Sequence, residues 1–140
     1  PTPSIFLDEC LDSIDIGDSL RQRGCEVHQY TSYYNRGEKD EVWLRSVGER
    51  KWIVLTKDKF IRRRQVEREA LEEAKVAAFV LTSGDLTGAE IAIAFTRACE
   101  RIRKVLRDHN PPLIASVSAN GDVALLTAAP RKASIKRVTE

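Results

Sequence analysis

The chain has 140 residues, 42% of them hydrophobic and 31% charged, and its 23 basic and 21 acidic side chains leave a formal net charge of only +2. This composition is typical of one globular domain and excludes a disordered chain, and the small net charge means that only local clusters of charge can indicate a partner. No apolar run approaches the roughly 20 residues that span a bilayer and no signal peptide is evident, so we expect no membrane contact and a cytoplasmic location.

Short apolar runs closed by polar residues predict buried strands at residues 4–8 and 51–56, and a weak alternation of apolar and polar residues predicts a strand at 26–30. Two helices are predicted between them. The first ends at Gly24, a favourable helix terminator, and the second follows a polar loop and is capped by Asp40. The first half of the chain therefore alternates strands with helices.

The second half begins with a basic stretch at residues 57–64, followed by a predicted helix at about 65–74 and a strand at 76–82. Thr87 and Glu90 have the spacing of a capping box, which predicts the start of a long helix. Strands at 113–117 and 123–126 flank Asn120-Gly121, a sequence that favours a hairpin.

Strands that alternate with helices predict a mostly parallel sheet covered on both faces. We therefore expect an α/β fold, a three-layer α/β/α sandwich, with the late hairpin adding an antiparallel strand. Residues 1–129 are predicted to form this domain and residues 130–140 a basic C-terminal tail.

Acidic residues follow two of the predicted strands and open one helix. Asp8 closes the first strand, Asp58 follows the third, and Asp40 begins the helix that precedes the third strand. If the first and third strands are parallel neighbours, these carboxylates meet at one edge of the sheet, where open α/β sheets bind ligands. Three carboxylates at one edge favour a shared Mg²⁺ or Mn²⁺ ion.

Such a metal site, bordered by positive charge, is suited to hydrolysis of a phosphodiester in a nucleic acid. Thr56 is expected to orient a carboxylate or a metal-bound water. The side chains predicted to contact the nucleic-acid backbone are Lys57, Lys59, Arg62 and Arg63.

Each of these signals also has a structural interpretation. Asp40 can be a helix cap and Asp8 a turn residue, and the basic stretch can be the solvated start of a salt-bridged helix. The three cysteines lack metal-type spacing and are expected to be reduced core residues.

Four segments resemble a known family. They are FLDE at residues 6–9, LRQRGCEV at 20–27, DEVW at 40–43 and IVLTKDKF at 53–60. Together they resemble the PIN-like ribonuclease domains of toxin–antitoxin systems, the VapC type, over roughly the first 60 to 70 residues, and the Thr-Lys-Asp segment after a hydrophobic strand is the most specific element.

The resemblance implies a metal-dependent endoribonuclease. By this analogy Asp8, Asp40 and Asp58 bind one or two Mg²⁺ or Mn²⁺ ions, with Thr56 in support, and hydrolyse RNA. A fourth acid is left open among Glu9, Asp12, Asp15 and Asp85. The resemblance also implies a cognate antitoxin protein as a partner and a possible homodimer.

Two other classes of function stay open from the sequence. A phosphoacceptor receiver-type signalling domain also has acidic residues after its first strand, but it needs a lysine after a later strand, which is not evident here. A non-catalytic module that binds RNA or a partner protein would use the basic stretch alone and would bind no divalent ion.

Overall fold

The computed structural model describes residues 3–58 and 64–128. The strands are β1 (Ile5–Leu7), β2 (Val27–Gln29), β3 (Ile53–Thr56), β4 (Ala77–Leu81), β5 (Leu113–Val117) and β6 (Val123–Ala128). The helices are α1 (Ile14–Gln22), α2 (Asp40–Arg50), α3 (Gln65–Ala74) and α4 (Gly88–Asp108), and two 3-10 turns cover Glu9–Leu11 and Tyr30–Ser32. The predicted strands all form, with ends that differ from the prediction by at most two residues.

The strands form one sheet in the order β2-β1-β3-β4-β5-β6. The first five strands in this order run parallel, and β6 runs antiparallel to β5. Helices α1 and α4 cover one face, and α2 and α3 cover the other. The predicted α/β/α architecture with a late antiparallel hairpin is therefore confirmed.

Burial on both faces explains why the strands are continuous apolar runs. In β1, Ile5 and Leu7 pack in the core beneath α1 and α4, whereas Phe6 packs in the core beneath α2 and α3. All three side chains are fully buried. None of the helices in the described residues combines the length and apolar composition needed to cross a membrane.

The helix starts agree only partly with the prediction. Thr87 and Glu90 form both hydrogen bonds of the capping box at the start of α4, as predicted. The prediction that Asp40 caps α2 is wrong, because Lys39 is the cap residue and Asp40 is the first residue of the helix. The Asp40 carboxylate instead accepts a hydrogen bond from the indole nitrogen of Trp43, at 3.0 Å.

Gly48 allows α2 and α3 to approach closely. A β-carbon at this position would contact the backbone carbonyl oxygen of Ala74, the last residue of α3. A backbone atom cannot move aside as the end of a flexible side chain can, so the contact requires a glycine. Helices α2 and α3 are thus packed tightly against each other at their C-terminal ends.

We predict that Gly48→Ala lowers the free energy of unfolding by about 2 kcal/mol, because the added methyl group forces α2 and α3 apart. The corresponding fall in Tm is about 6 °C by differential scanning calorimetry. Gly84→Ala is the matched control, since a β-carbon there meets nothing within 4 Å. Equal melting temperatures for the two variants would contradict the prediction.

Candidate active site

A pocket opens at the carboxyl ends of β1 and β3. The strand order reverses here, because α1 leads from β1 to β2 on one side and the next connection returns to β3 on the other. Such a reversal leaves a crevice between the diverging connections. The pocket has a volume of about 460 Å³, and its charged lining residues are Asp8, Glu9, Asp40, Asp58, Glu67, Lys57 and Arg64.

Asp8 lies at the base of this pocket. Its backbone N–H donates to the carbonyl oxygen of Leu55 at 3.3 Å, which continues the β1–β3 pairing by one residue. Only 8% of the residue is exposed, and its carboxylate accepts a hydrogen bond from the Cys10 thiol at 2.8 Å. Burial raises the pKa of the Asp8 carboxyl above its ordinary value, and the negative charge of Asp58 raises it further.

Thr56 organises the turn that follows β3. Its hydroxyl oxygen accepts a hydrogen bond from the backbone N–H of Asp58 at 3.0 Å, and it lies 3.5 Å from the Cys10 sulfur. Thr56 and Asp8 are the buried polar residues of the described chain. The predicted supporting role of Thr56 therefore has a geometric basis, because its hydroxyl fixes the backbone that carries Asp58.

The three acids predicted to share one site, Asp8, Asp40 and Asp58, all line this pocket. The first two reach it from the end of β1 and the start of α2, and the third from the turn after β3. Their role as metal ligands stays a prediction, but the convergence of distant segments that the hypothesis required is present.

Glu67 is a fourth acid in the pocket that the sequence reasoning missed. It lies in the first turn of α3, and its side chain is 20% exposed. Burial raises the pKa of the Glu67 carboxyl, and the charges of Asp40, Asp58 and Asp8 raise it as well, whereas Arg64 lowers it. The signal that would have found it is its position, because a helix that follows a parallel strand begins at the strand's carboxyl edge.

Arg64 bridges two of these acids. Its guanidinium group pairs with the carboxylate of Asp58, and its Nε lies 3.1 Å from a carboxylate oxygen of Glu67. The arginine therefore places one positive charge among the carboxylates, close to where a metal ion would be bound.

Of the predicted candidates for a fourth acid, Glu9 lines the pocket and Asp12 does not. Asp12 accepts a hydrogen bond from the Thr31 hydroxyl at 2.7 Å, and Glu9 accepts one from the Gly37 backbone N–H at 3.2 Å. These two acids hold the loop that leads into α2. Neither Asp15 nor Asp85 is among the residues that line the pocket.

Cys10 is also in the pocket, which corrects the prediction that all three cysteines are core residues. Cys25 and Cys99 are buried, but Cys10 is exposed. Burial of the sulfur and the adjacent charge of Asp8 raise the pKa of the Cys10 thiol to about 11. The thiol is therefore protonated at neutral pH and can donate its hydrogen bond to Asp8.

Of the residues predicted to contact nucleic acid, Lys57 is exposed and lines the pocket. The predicted contacts at Lys59, Arg62 and Arg63 lie outside the described residues, as does the predicted tail at 130–140.

The chemistry of the lining residues fits a hard divalent cation such as Mg²⁺ or Mn²⁺, which prefers carboxylate oxygens and keeps several waters. Within residues 3–58 and 64–128, no group of three or more His, Cys, Asp or Glu side chains is arranged to hold an ion. The predicted ligands are instead hydrogen-bonded within the protein, to the thiol, indole and guanidinium groups described above.

Comparison with known families gives one match. A family model described as a PIN-like domain matches residues 3–83, more than half of the chain. Searches of curated proteins and of solved structures found no match. The matched range covers the first four strands, the first three helices and every described residue that lines the pocket.

We predict that Asp8→Asn raises the stability of the metal-free protein at pH 7.5, even though it alters the candidate site. Because the folded state raises the pKa of this carboxyl, the folded protein binds its proton more tightly than the unfolded chain does. The ionised form therefore costs stability above the folded-state pKa, and the cost disappears as pH falls below the unfolded value of about 4.

The expected gain is about 1 kcal/mol, or about 3 °C in Tm, measured in EDTA, and it should shrink steadily toward pH 4. Asp108→Asn, at an exposed carboxylate at the end of α4, should change Tm by less than about 1 °C. A gain that does not depend on pH would show that burial of the Asp8 charge is not its cause.

Proposed function

We propose, from the premise that the chain belongs to the family of PIN-like domains, that it is a metal-dependent endoribonuclease and the toxin of a toxin–antitoxin pair. PIN domains are usually nucleases, so membership supports a nuclease-type function in general. The observation that carries the proposal is the convergence of five acidic side chains on one pocket beside Lys57, namely Asp8, Glu9, Asp40, Asp58 and Glu67.

In this proposal Asp8, Asp40 and Asp58 hold Mg²⁺ or Mn²⁺, and Glu67 adds a further carboxylate beside them. When bound, the ion polarises the scissile phosphate and lowers the pKa of an attacking water. The raised pKa values of Asp8 and Glu67 support this assignment, because they report carboxylates that are buried and close enough to repel one another.

The remaining pocket residues orient these groups and the substrate. Thr56 holds the backbone N–H of Asp58, which fixes the direction of that carboxylate. Trp43 donates to Asp40 and limits its rotation. Lys57 is exposed at the pocket and supplies the positive charge that attracts an RNA phosphate.

The toxin assignment and its partners rest on the resemblance to the VapC type. They add a cognate antitoxin protein, a possible homodimer and a cytoplasmic location to the proposal. A receiver-type function is not favoured, because β4 and β5 are followed by Thr82 and Ser118 and not by the lysine that such a domain needs.

We predict Mn²⁺-dependent cleavage of single-stranded RNA by the purified protein. Asp58→Asn should reduce the rate by more than about 100-fold because it removes a proposed metal ligand, and Glu67→Gln by about 10- to 100-fold because it removes a carboxylate beside the ligands. Cleavage is measured on a fluorescent RNA with added Mn²⁺ and again with EDTA.

The matched control is Asp108→Asn, which removes an exposed carboxylate far along α4 and should cleave at the wild-type rate. Activity that persists in EDTA, or in both pocket variants, would refute the proposed mechanism.

We predict that Arg64→Gln binds Mn²⁺ about fivefold more tightly than the wild type when RNA is absent. The guanidinium group pairs with Asp58 and Glu67, so it must be displaced before an ion can use those oxygens. Isothermal titration calorimetry gives the affinities directly.

Arg103→Gln is the control, since Arg103 forms a similar pair with Glu100 on α4. If neither variant nor the wild type binds Mn²⁺, the non-catalytic binding module becomes the better description of the protein.

A further inference from the structure

An exposed aromatic and cationic surface lies away from the pocket, around the end of α2. It consists of Arg50 together with the rings of Tyr33 and Trp52, and we call it the Arg50 patch. The guanidinium carbon of Arg50 lies 4.7 Å from the centre of the Trp52 ring and 5.2 Å from that of Tyr33. Such distances are typical of cation–π contacts.

Contacts behind the patch hold it rigid. The imidazole of His28 stacks on Trp52 with the ring centres 3.7 Å apart and the planes 10° from parallel. Hydrogen bonds at its two nitrogens fix the ring, because Nδ1 lies 2.9 Å from the Tyr33 hydroxyl oxygen and Nε2 lies 3.0 Å from a carboxylate oxygen of Glu26. The two rings that contact Arg50 are therefore positioned before any ligand arrives.

Arg50 itself has no carboxylate partner within residues 3–58 and 64–128. Glu26, the acid that contacts His28 behind the patch, is bonded to Ser4 and His28. Arg50 is exposed, Lys51 beside it is exposed as well, and Tyr33 is 42% exposed. The patch thus presents planar N–H donors and an accessible ring, with no neutralising ion pair.

The patch and the pocket lie at opposite ends of one helix. Asp40, the first residue of α2, lines the pocket, and Arg50 is the last residue of the same helix. Ten steps along an α-helix correspond to about 15 Å. A few nucleotides of extended single-stranded RNA can bridge this distance.

We propose that the Arg50 patch binds unpaired nucleotides of the RNA substrate outside the pocket, an inference that rests on the proposed ribonuclease function. The guanidinium group of Arg50 donates hydrogen bonds to a phosphate, and the exposed ring of Tyr33 stacks on a base. RNA is favoured over a protein partner because the exposed positive charges of Arg50 and Lys51, which form no ion pair within residues 3–58 and 64–128, complement a phosphate backbone.

The test compares two arginines that both lie in the last turn of a helix, Arg50 in α2 and Arg107 in α4. Binding of fluorescent single-stranded RNA is measured by anisotropy in EDTA, with oligonucleotides of about 12 and about 4 nucleotides. Arg50→Gln should bind the longer RNA about tenfold more weakly than wild type and the shorter RNA equally well. Arg107→Gln should match the wild type on both.

A second variant and a crosslink test the aromatic part of the patch. Tyr33→Leu should also weaken binding of the longer RNA by about fivefold while leaving the shorter RNA unaffected. Ultraviolet irradiation of the wild-type complex with 5-iodouridine RNA should crosslink the peptide that contains Tyr33, as located by mass spectrometry.

The outcomes separate this inference from the ribonuclease proposal. If the longer RNA binds through Arg50 but is never cut with Mn²⁺ present, the ribonuclease proposal is refuted, whereas RNA binding by the Arg50 patch is supported. If RNA is cut and Arg50→Gln binds and cleaves both lengths like the wild type, the patch proposal is overturned and a protein partner becomes its better occupant. Failure of wild-type protein to bind the longer RNA also overturns it.

Discussion

The parallel pairing of β1 with β3, in which Leu7 lies opposite Leu55, determines where the chemistry of this protein can occur. It brings the ends of two strands distant in sequence to one edge, and the reversal of strand order opens a crevice there. Asp8 and Asp58 enter that crevice because Asp8 directly follows β1 and Asp58 lies two residues after β3. The helices that begin at the same edge add Asp40 and Glu67. A different neighbour for β1 would disperse all four carboxylates.

The sequence was sufficient to predict the strands, the helices and the position of Asp8 and Asp58 at one edge of the sheet. Buried parallel strands have a distinct apolar pattern, so their ends can be located from the sequence. It was not sufficient for side chains whose partners come from tertiary packing. Asp40 was predicted as a cap, but its carboxylate bonds to the Trp43 indole, which local spacing does not reveal. Glu67 was missed because the order of strand and helix places the start of α3 at this edge of the sheet but does not show which side chain of its first turn reaches the pocket.

The candidate site keeps several like charges together in a partly buried crevice, and the protein offsets that cost with neighbouring donors. The Cys10 thiol donates to Asp8, the Trp43 indole donates to Asp40, and the guanidinium group of Arg64 pairs with Asp58 and Glu67. These contacts explain why the acids line one pocket without forming a coordination sphere on their own. In the proposed function, a divalent cation would replace these internal donors as the partner of the carboxylates.

The loop between β2 and α2 is anchored in two physically different ways. The side chain of Asp12 is only 3% exposed and accepts a hydrogen bond from the Thr31 hydroxyl. The exposed Arg36 side chain instead lies 3.9 Å from a carboxylate oxygen of Glu9 and 3.6 Å from one of Asp12. Dissolved ions screen an exposed pair of opposite charges, whereas a hydrogen bond from a neutral hydroxyl group depends less on that screening. Rising ionic strength should therefore loosen the Arg36 part of this loop while Thr31 stays bonded to Asp12.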